Sequence, residues 1–155
     1  MHSPHWTLQN VVFADGGTAA GSFDFDAETN QLNSFMIVTS PFSSSQGAYG
    51  ASYAFGSVVP TFISGFVTPL DGNLDGELRF YGDLDGAITN AGGTVLFNVT
   101  GTPPAGASEI LCVNALCNLG FPRRIVSGGV AAPVAETPSP AHFRCSLPAS
   151  AASVC

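Results

Sequence analysis

The chain has 155 residues, a net charge of −7 and no lysine, since its four basic side chains are all arginines. This acidic balance makes nucleic acid a poor partner, because phosphate binding needs a basic patch, and it disfavours docking on anionic membranes. A hydrophobic content of 45% excludes a disordered chain, no apolar run approaches the roughly 18 residues of a membrane span, and the length fits a single domain.

Short β-forming segments separated by turn residues recur along the chain, and no window shows sustained helical periodicity. The 18 glycines and 11 prolines are typical of many strands joined by tight turns. The sequence therefore predicts an all-β fold, an antiparallel β-sandwich or β-barrel. The predicted strands are residues 6–13, 18–25, 31–40, 62–67, 77–82, 93–99, 108–114 and 123–130.

The segments between the first predicted strands contain residues that favour tight turns. Asp15-Gly16-Gly17 supplies positive φ at low cost, and Asp26 and Asn30 can hydrogen-bond their own backbone in a second turn. Asp24 and Asp26 alternate with a phenylalanine, which is the period of a strand with one wet face. Both carboxylates are therefore expected on an ordinary solvated face.

Two segments do not fit the strand pattern. Residues 40–61 are rich in serine and glycine with interspersed aromatics, which predicts a long loop or an irregular edge. From residue 133 the composition turns to alanine, proline and serine, which indicates a tail. The predicted organisation is therefore a β domain over residues 1–132 and an irregular tail over residues 133–155.

The segment PLDGNLDGELRFYGDLDG, residues 69–86, holds five of the 11 acidic residues. Its first half fits the pattern D-x-[DN]-x-[DN]-G of a calcium loop, in which oxygens at alternate positions converge and glycine permits the bend. Position 12 is Gly82 rather than glutamate, and no helix flanks the segment, so this is not an EF-hand. The candidate Ca²⁺ ligands on a β scaffold are Asp71, Asn73, Asp75, Glu77, Asp83 and Asp85. The alternative is that Asp-Gly pairs here only form hairpin turns.

The four cysteines allow three disulfide connectivities. Cys112 and Cys117 bracket a short loop, and in an exported β protein a disulfide across it is the default. Cys145 and Cys155 lie in the tail and form the other candidate pair. A zinc site that recruits His142 matches no common finger spacing.

Searches for catalytic motifs identify no residue set. The nucleophile elbow G-x-S-x-G is absent, and without lysine there is no Schiff base. Of the three histidines, His5 beside Trp6 is the best placed for a triad, yet a histidine near a terminus usually lies on the surface. Pairs of carboxylates for glycosidase-type chemistry exist, but the sequence selects none.

Several pieces, WTLQNVVFADGGTAAGSFDFDAETNQLNSFMIVTS, AITNAGGTVLF, the C-x4-C hairpin and RRIVSGGVAAPV, together resemble small exported bacterial proteins of the PEP-CTERM sorting class. The resemblance covers residues 6–132 and implies export and association with an extracellular polysaccharide matrix. The Pro-Glu-Pro motif and apolar helix of that class have no counterpart in residues 133–155. The start, MHSPHWTLQN, has neither the basic nor the apolar stretch of a signal peptide.

Three functions follow as hypotheses. The first is an exported calcium-binding module of the matrix or cell surface. The second is a calcium-dependent hydrolase of a labile ester or lactone, such as an acyl-homoserine lactone, in which the ion polarises a carbonyl and orients water. The third is a carbohydrate-binding module, in which aromatic side chains stack on sugars. The candidates for stacking are Trp6, Tyr49, Tyr53 and Tyr81.

Overall fold

A computed structural model describes residues 3–44, 47–67, 77–101, 106–112 and 120–135. Within these ranges the secondary structure consists of strands, with no helix. The twelve strands are β1 (His5–Phe13), β2 (Thr18–Asp26), β3 (Gln31–Thr39), β4 (Phe42–Ser44), β5 (Gly47–Tyr49), β6 (Ser52–Tyr53), β7 (Gly56–Val59), β8 (Phe62–Val67), β9 (Glu77–Asp83), β10 (Gly93–Leu96), β11 (Ser108–Cys112) and β12 (Gly120–Ala132).

Nine strands form one antiparallel path in the order β6-β3-β2-β1-β12-β11-β9-β8-β7. Strand β10 pairs with the second half of β12, and β4 and β5 form a separate hairpin. The two ends of the path lie side by side, because β6 contacts β8 and β3 contacts β7. The sheet is thus nearly closed into a barrel, which confirms the all-β antiparallel prediction.

A bulge between β1 and β12 bends the sheet. Asn10 adopts a φ of 51° and Gly128 a φ of 111°, and the register between the two strands shifts next to these residues. A Cβ atom on Gly128 would lie 2.6 Å from the Cα atom of Val11, so only glycine fits here. Such bulges increase local twist and help a sheet to curl into a barrel.

The barrel interior is filled by alternate residues of the strands, as the period-2 pattern predicts. Aromatic rings dominate it, and their edges meet in tilted or T-shaped pairs, such as Tyr53 with Phe80 at 6.1 Å and Phe80 with Phe97 at 6.2 Å between centroids. The largest fully buried side chains include Trp6, Phe13, Phe23, Phe25, Tyr53, Phe80 and, unexpectedly for a core, Glu109.

Each of the eight predicted strands overlaps an observed strand, and the predicted span 62–67 coincides with β8. Strand β10 ends at Leu96 rather than at residue 99, and residues 113–114 of the predicted span 108–114 lie outside the described residues. Residues 40–61 do not form one long loop, because the segment carries the four short strands β4 to β7. The alternative prediction of an irregular edge agrees with the topology, since β6 and β7 are the two edge strands of the path. The Ser/Gly-rich sequence of this segment gives no clear strand signal. Strands β6 and β7 span only two and four residues, which is too short for an alternation to be recognised. Strand β12 ends at Ala132, and Ala135 still donates a backbone hydrogen bond to the Ala91 carbonyl at 3.0 Å.

Candidate functional site

The residues predicted to bind calcium are divided by the fold. Asp71, Asn73 and Asp75 lie outside the described residues. Glu77 and Asp83 are the first and last residues of β9, and six strand residues span about 20 Å. Over this distance one ion cannot contact both residues, so Glu77 and Asp83 cannot belong to the same shell. The alternative that Asp85 closes the shell stays a prediction.

Two of the three described members of that set, Glu77 and Asp83, have side-chain partners in the protein. Arg79 pairs with Glu77 at 3.0 Å, and the Asn98 side chain donates to Asp83 at 3.0 Å. Asp85 lies on an exposed turn. In the described part of the chain no group of three or more histidine, cysteine or acidic side chains is close enough to hold a metal. Calcium binding by Asp71, Asn73 and Asp75 stays a prediction.

The outer face of β8 and β9 forms a shallow groove of about 340 Å³. Alternation points Ser64 and Phe66 outward on β8, where they pair across the strands with Tyr81 and Arg79. The Phe66 side chain is 55% exposed. We call this surface the β8–β9 face; its residues are Phe62, Ser64, Gly65, Phe66, Glu77, Arg79 and Tyr81.

The polar groups of the β8–β9 face are held in place by one another. Arg79 donates to the Tyr81 hydroxyl at 3.5 Å and to Glu77 at 3.0 Å, and both contacts raise the pKa of Arg79. The Tyr81 ring packs against Phe62 at 6.0 Å between centroids. An exposed aromatic ring thus adjoins a fixed array of planar donors and acceptors.

The structure places the four aromatic residues predicted to stack on sugars in different environments. Trp6 and Tyr53 are fully buried in the barrel, so neither ring can stack on a sugar, and that part of the prediction was wrong. The side chain of Tyr49 lies outside the described part of the structure. Tyr81 lies on the β8–β9 face. Phe66, which the sequence did not single out, adjoins it because β8 and β9 pair.

A second polar cluster lies where β1, β2 and β3 meet. The Nδ1 atom of His5 is 2.7 Å from Oδ1 of Asp24, and the Ser34 hydroxyl donates to Oδ2 of the same carboxylate at 2.5 Å. The hydrogen bonds from Ser34 and His5 lower the pKa of Asp24. The register Asp24↔Ser34 and His5↔Asp24 places the three side chains next to one another on one face. His5 is 58% exposed, as expected for a histidine near a terminus.

Asp26 corrects a prediction, because it is buried rather than solvated. A register shift after Asp24 breaks the alternation. The Asp26 carboxylate accepts hydrogen bonds from the Asn90 side chain at 2.8 Å and from the Glu28 and Thr29 amides. The bond from Asn90 above all lowers the pKa of Asp26 to about 2. The same hydrogen bond holds the Asn90 side chain in one orientation.

A cavity of about 380 Å³ adjoins His5. Residues 3–5 form one wall, residues 133–135 form the other, and Asn90 lies between them. The first wall is tied to the barrel by the hydrogen bond from the Phe25 amide to the Pro4 carbonyl, and the second by the bond from Ala135 to Ala91.

Inside the barrel lies an ion pair that the sequence analysis missed. Arg123 Nε donates to Oε2 of Glu109 at 2.7 Å, and Thr39 and Tyr53 donate to Oε1 at 2.6 Å and 2.5 Å. Burial, followed by the charge of Glu109, raises the pKa of the Tyr53 hydroxyl. Both oxygens of this carboxylate therefore have protein partners, as a buried charge requires.

The Arg123 guanidinium has further partners at the barrel end. It donates to the Ser40 carbonyl at 2.7 Å and to Asp15 at 3.2 Å, and it lies 3.9 Å from the centroid of the Phe13 ring. The sequence signal for this buried ion pair was Glu109 inside the apolar segment SEILC. An isolated acidic side chain in a core strand indicates a cationic partner.

The predicted disulfides stay predictions. Cys112 is fully buried at the end of β11, and Cys117, Cys145 and Cys155 lie outside the described residues.

Comparisons with known proteins do not add a family: no family model, no curated protein and no solved structure matches the chain. The resemblance to the PEP-CTERM class and the export that it implies therefore stay predictions. Over the described residues, none of the secondary structure is a helix long and apolar enough to cross a membrane.

Proposed function

We propose that this protein is an exported β-barrel module of an extracellular matrix that binds a neutral polysaccharide on the β8–β9 face. The observation that carries the proposal is the exposed Phe66 ring beside the Arg79–Glu77 pair, on a groove open to solvent. Fold alone does not decide function, so the argument depends on this surface.

The chemistry of the face suits a sugar ring. A pyranose presents an apolar C–H face and a rim of hydroxyls. Phe66 and Tyr81 offer aromatic faces on which the C–H face can stack. For the hydroxyls, the Arg79 guanidinium supplies hydrogen-bond donors and the Glu77 carboxylate supplies acceptors. Because the Arg79–Glu77 pair is only partly exposed, 28% and 27% for the two side chains, its orientation is set before a ligand arrives, which lowers the entropy cost of binding.

Charge selects a neutral polymer over an anionic one. The chain carries −7 overall, and the single arginine of the face is already paired with Glu77. A polyanion would meet net repulsion without a basic patch to offset it. A neutral glucan meets none.

Calcium remains part of the proposal on the strength of the D-x-[DN]-x-[DN]-G pattern. The segment 68–76 leaves β8 after Val67 and enters β9 at Glu77, so it connects to the Glu77 end of the β8–β9 face. The proposed ligands Asp71, Asn73 and Asp75 are thus close in sequence to Glu77 of this face.

The test is calorimetric titration of the full chain with cellulose-type and laminarin-type oligosaccharides, in calcium and in chelator. Phe66→Ala is expected to weaken binding about tenfold or more, since a central aromatic contact commonly contributes over about 1.4 kcal/mol. Chelation is expected to weaken binding of the unchanged chain.

Phe121→Ala is the matched control, because Phe121 is 40% exposed but lies on β12, which β11 separates from β9. It should leave the affinity unchanged. Equal losses in the two variants, or no binding of either oligosaccharide, would refute a sugar site on the β8–β9 face. An oligosaccharide affinity that is the same in calcium and in chelator would exclude calcium from the proposal and would still support the sugar site.

A further inference from the structure

We propose a second site, independent of the β8–β9 face, in which His5 acts as a general base that hydrolyses small uncharged esters in the adjoining cavity. Three observations meet here: a histidine oriented by a carboxylate, a cavity beside it, and cavity walls fixed to the barrel. The reaction needs water and no metal, so it differs from the calcium-dependent hydrolysis predicted from the acidic segment.

Asp24 sets the orientation and tautomer of the imidazole. With Nδ1–H donating to Oδ1 of Asp24 at 2.7 Å, the lone pair lies on Nε2, which is then the basic nitrogen. Ser34 holds the second oxygen of Asp24 at 2.5 Å, so the carboxylate is fixed from both sides. Asp24 is therefore a positioning residue for His5.

The serine in this cluster is not a nucleophile. The Ser34 hydroxyl donates to Asp24 rather than to His5, whereas a nucleophilic serine must pass its proton to the histidine. Water is the attacking group instead. Its oxygen bonds to the ester carbonyl carbon while Nε2 of His5 takes its proton. The tetrahedral intermediate then breaks the bond to the alkoxy group, which leaves with the proton from Nε2 as an alcohol, and the acid remains.

The cavity determines the class of substrate. Its volume of about 380 Å³ lies near the lower end for small-molecule sites. Pro4, Pro133 and Val134 make its walls largely apolar, which suits a short acyl chain. The Ser3 oxygen accepts a hydrogen bond from Asn33 at 3.0 Å, so its own hydrogen is left to donate to a carbonyl oxygen. The acidic chain disfavours anionic esters.

The experiment measures hydrolysis of p-nitrophenyl butyrate by the full chain, with and without chelator. His5→Gln is expected to lower kcat about 100-fold or more, the usual contribution of a general base. Asp24→Asn should lower kcat with little change in KM, and Asp24→Glu should restore part of the rate. Because His5 is largely exposed, its variant should keep the wild-type unfolding midpoint, which thermal unfolding would check.

His142→Gln is the control for unspecific catalysis by any imidazole, since it removes another of the three histidines, one that the proposal does not use. Its rate should equal that of the unchanged chain. Equal losses in His5→Gln and His142→Gln, an unchanged rate in His5→Gln, or no turnover of the ester would overturn the proposal. Loss of turnover on chelation would also overturn it, in favour of the calcium-dependent route. None of these results depends on sugar binding.

Discussion

The barrel interior and the β8–β9 face each hold an arginine–glutamate pair, and the two pairs differ mainly in burial. Arg123 and Glu109 are 5% and 0% exposed at an N–O distance of 2.7 Å. Arg79 and Glu77 are 28% and 27% exposed at 3.0 Å. The same chemistry therefore occurs once in the core and once at the edge of solvent.

The difference separates a structural role from a binding role. Both oxygens of Glu109 are taken by Arg123, Thr39 and Tyr53, so no acceptor faces a ligand. The inner pair joins β11 to β12, β3 and β6 and specifies how the barrel closes. The outer pair borders a groove and can exchange water for hydroxyl groups of a ligand. We expect substitutions in the inner pair to affect stability and substitutions in the outer pair to affect binding.

The largest effect is expected from Arg123→Met. The change removes the only cation bonded to Glu109 among the described residues and leaves a carboxylate in the core. Breaking a buried pair in this way costs about 3–5 kcal/mol of unfolding free energy. Chemical denaturation monitored by tryptophan fluorescence would measure it, because Trp6 is buried in the same barrel.

The double variant Glu109→Gln with Arg123→Met is the control for this prediction. It removes both charges, so its loss of stability should be smaller than that of Arg123→Met alone. A double variant less stable than the single one would show that the ion pair is not the source of the effect.

A smaller effect is expected from Tyr53→Phe. The ring keeps its packing against Phe80, while Glu109 loses one of two donors to Oε1. A hydrogen bond to a charged group contributes about 1.5–3 kcal/mol, and the free energy of unfolding should fall by that amount. A loss under about 0.5 kcal/mol would mean that Thr39 alone satisfies this oxygen.

The smallest effect on stability is expected from Arg79→Met. A partly exposed pair contributes about 0–1 kcal/mol, so the unfolding midpoint should barely move. Titration with the same oligosaccharides should nevertheless show weaker binding. If Arg79→Met destabilised the protein as much as Arg123→Met, the comparison between the two pairs would fail.

Much of the fold followed from the sequence because the longer strands carry their own signal. The period-2 burial of Phe23 and Phe25 in β2, and the turn residues Asp15-Gly16-Gly17, are local properties. The short strands of residues 40–61 were not predicted individually, since β6 and β7 are defined by pairing with β3 and β8, and β4 and β5 only by pairing with each other.

The candidate sites were less predictable, because each joins distant parts of the chain. Ser34 is bonded to Asp24, ten residues away, but Thr39 and Glu109 are separated by 70 residues and Asp26 and Asn90 by 64. Tyr53 was taken for a surface ring and Asp26 for a solvated acid. A single sequence does not reveal which partner satisfies a buried polar group.

The sequence by itself determined the all-β antiparallel class, most strand positions and the acidic, lysine-free surface, because alternation, turn chemistry and composition act over a few residues. Only the tertiary structure decided that the sheet nearly closes into a barrel, that Glu109 and Arg123 meet inside it, and that Phe66 adjoins Arg79 on an open groove. These arrangements depend on strand pairing between residues far apart in the chain, and local sequence patterns do not predict which strands pair.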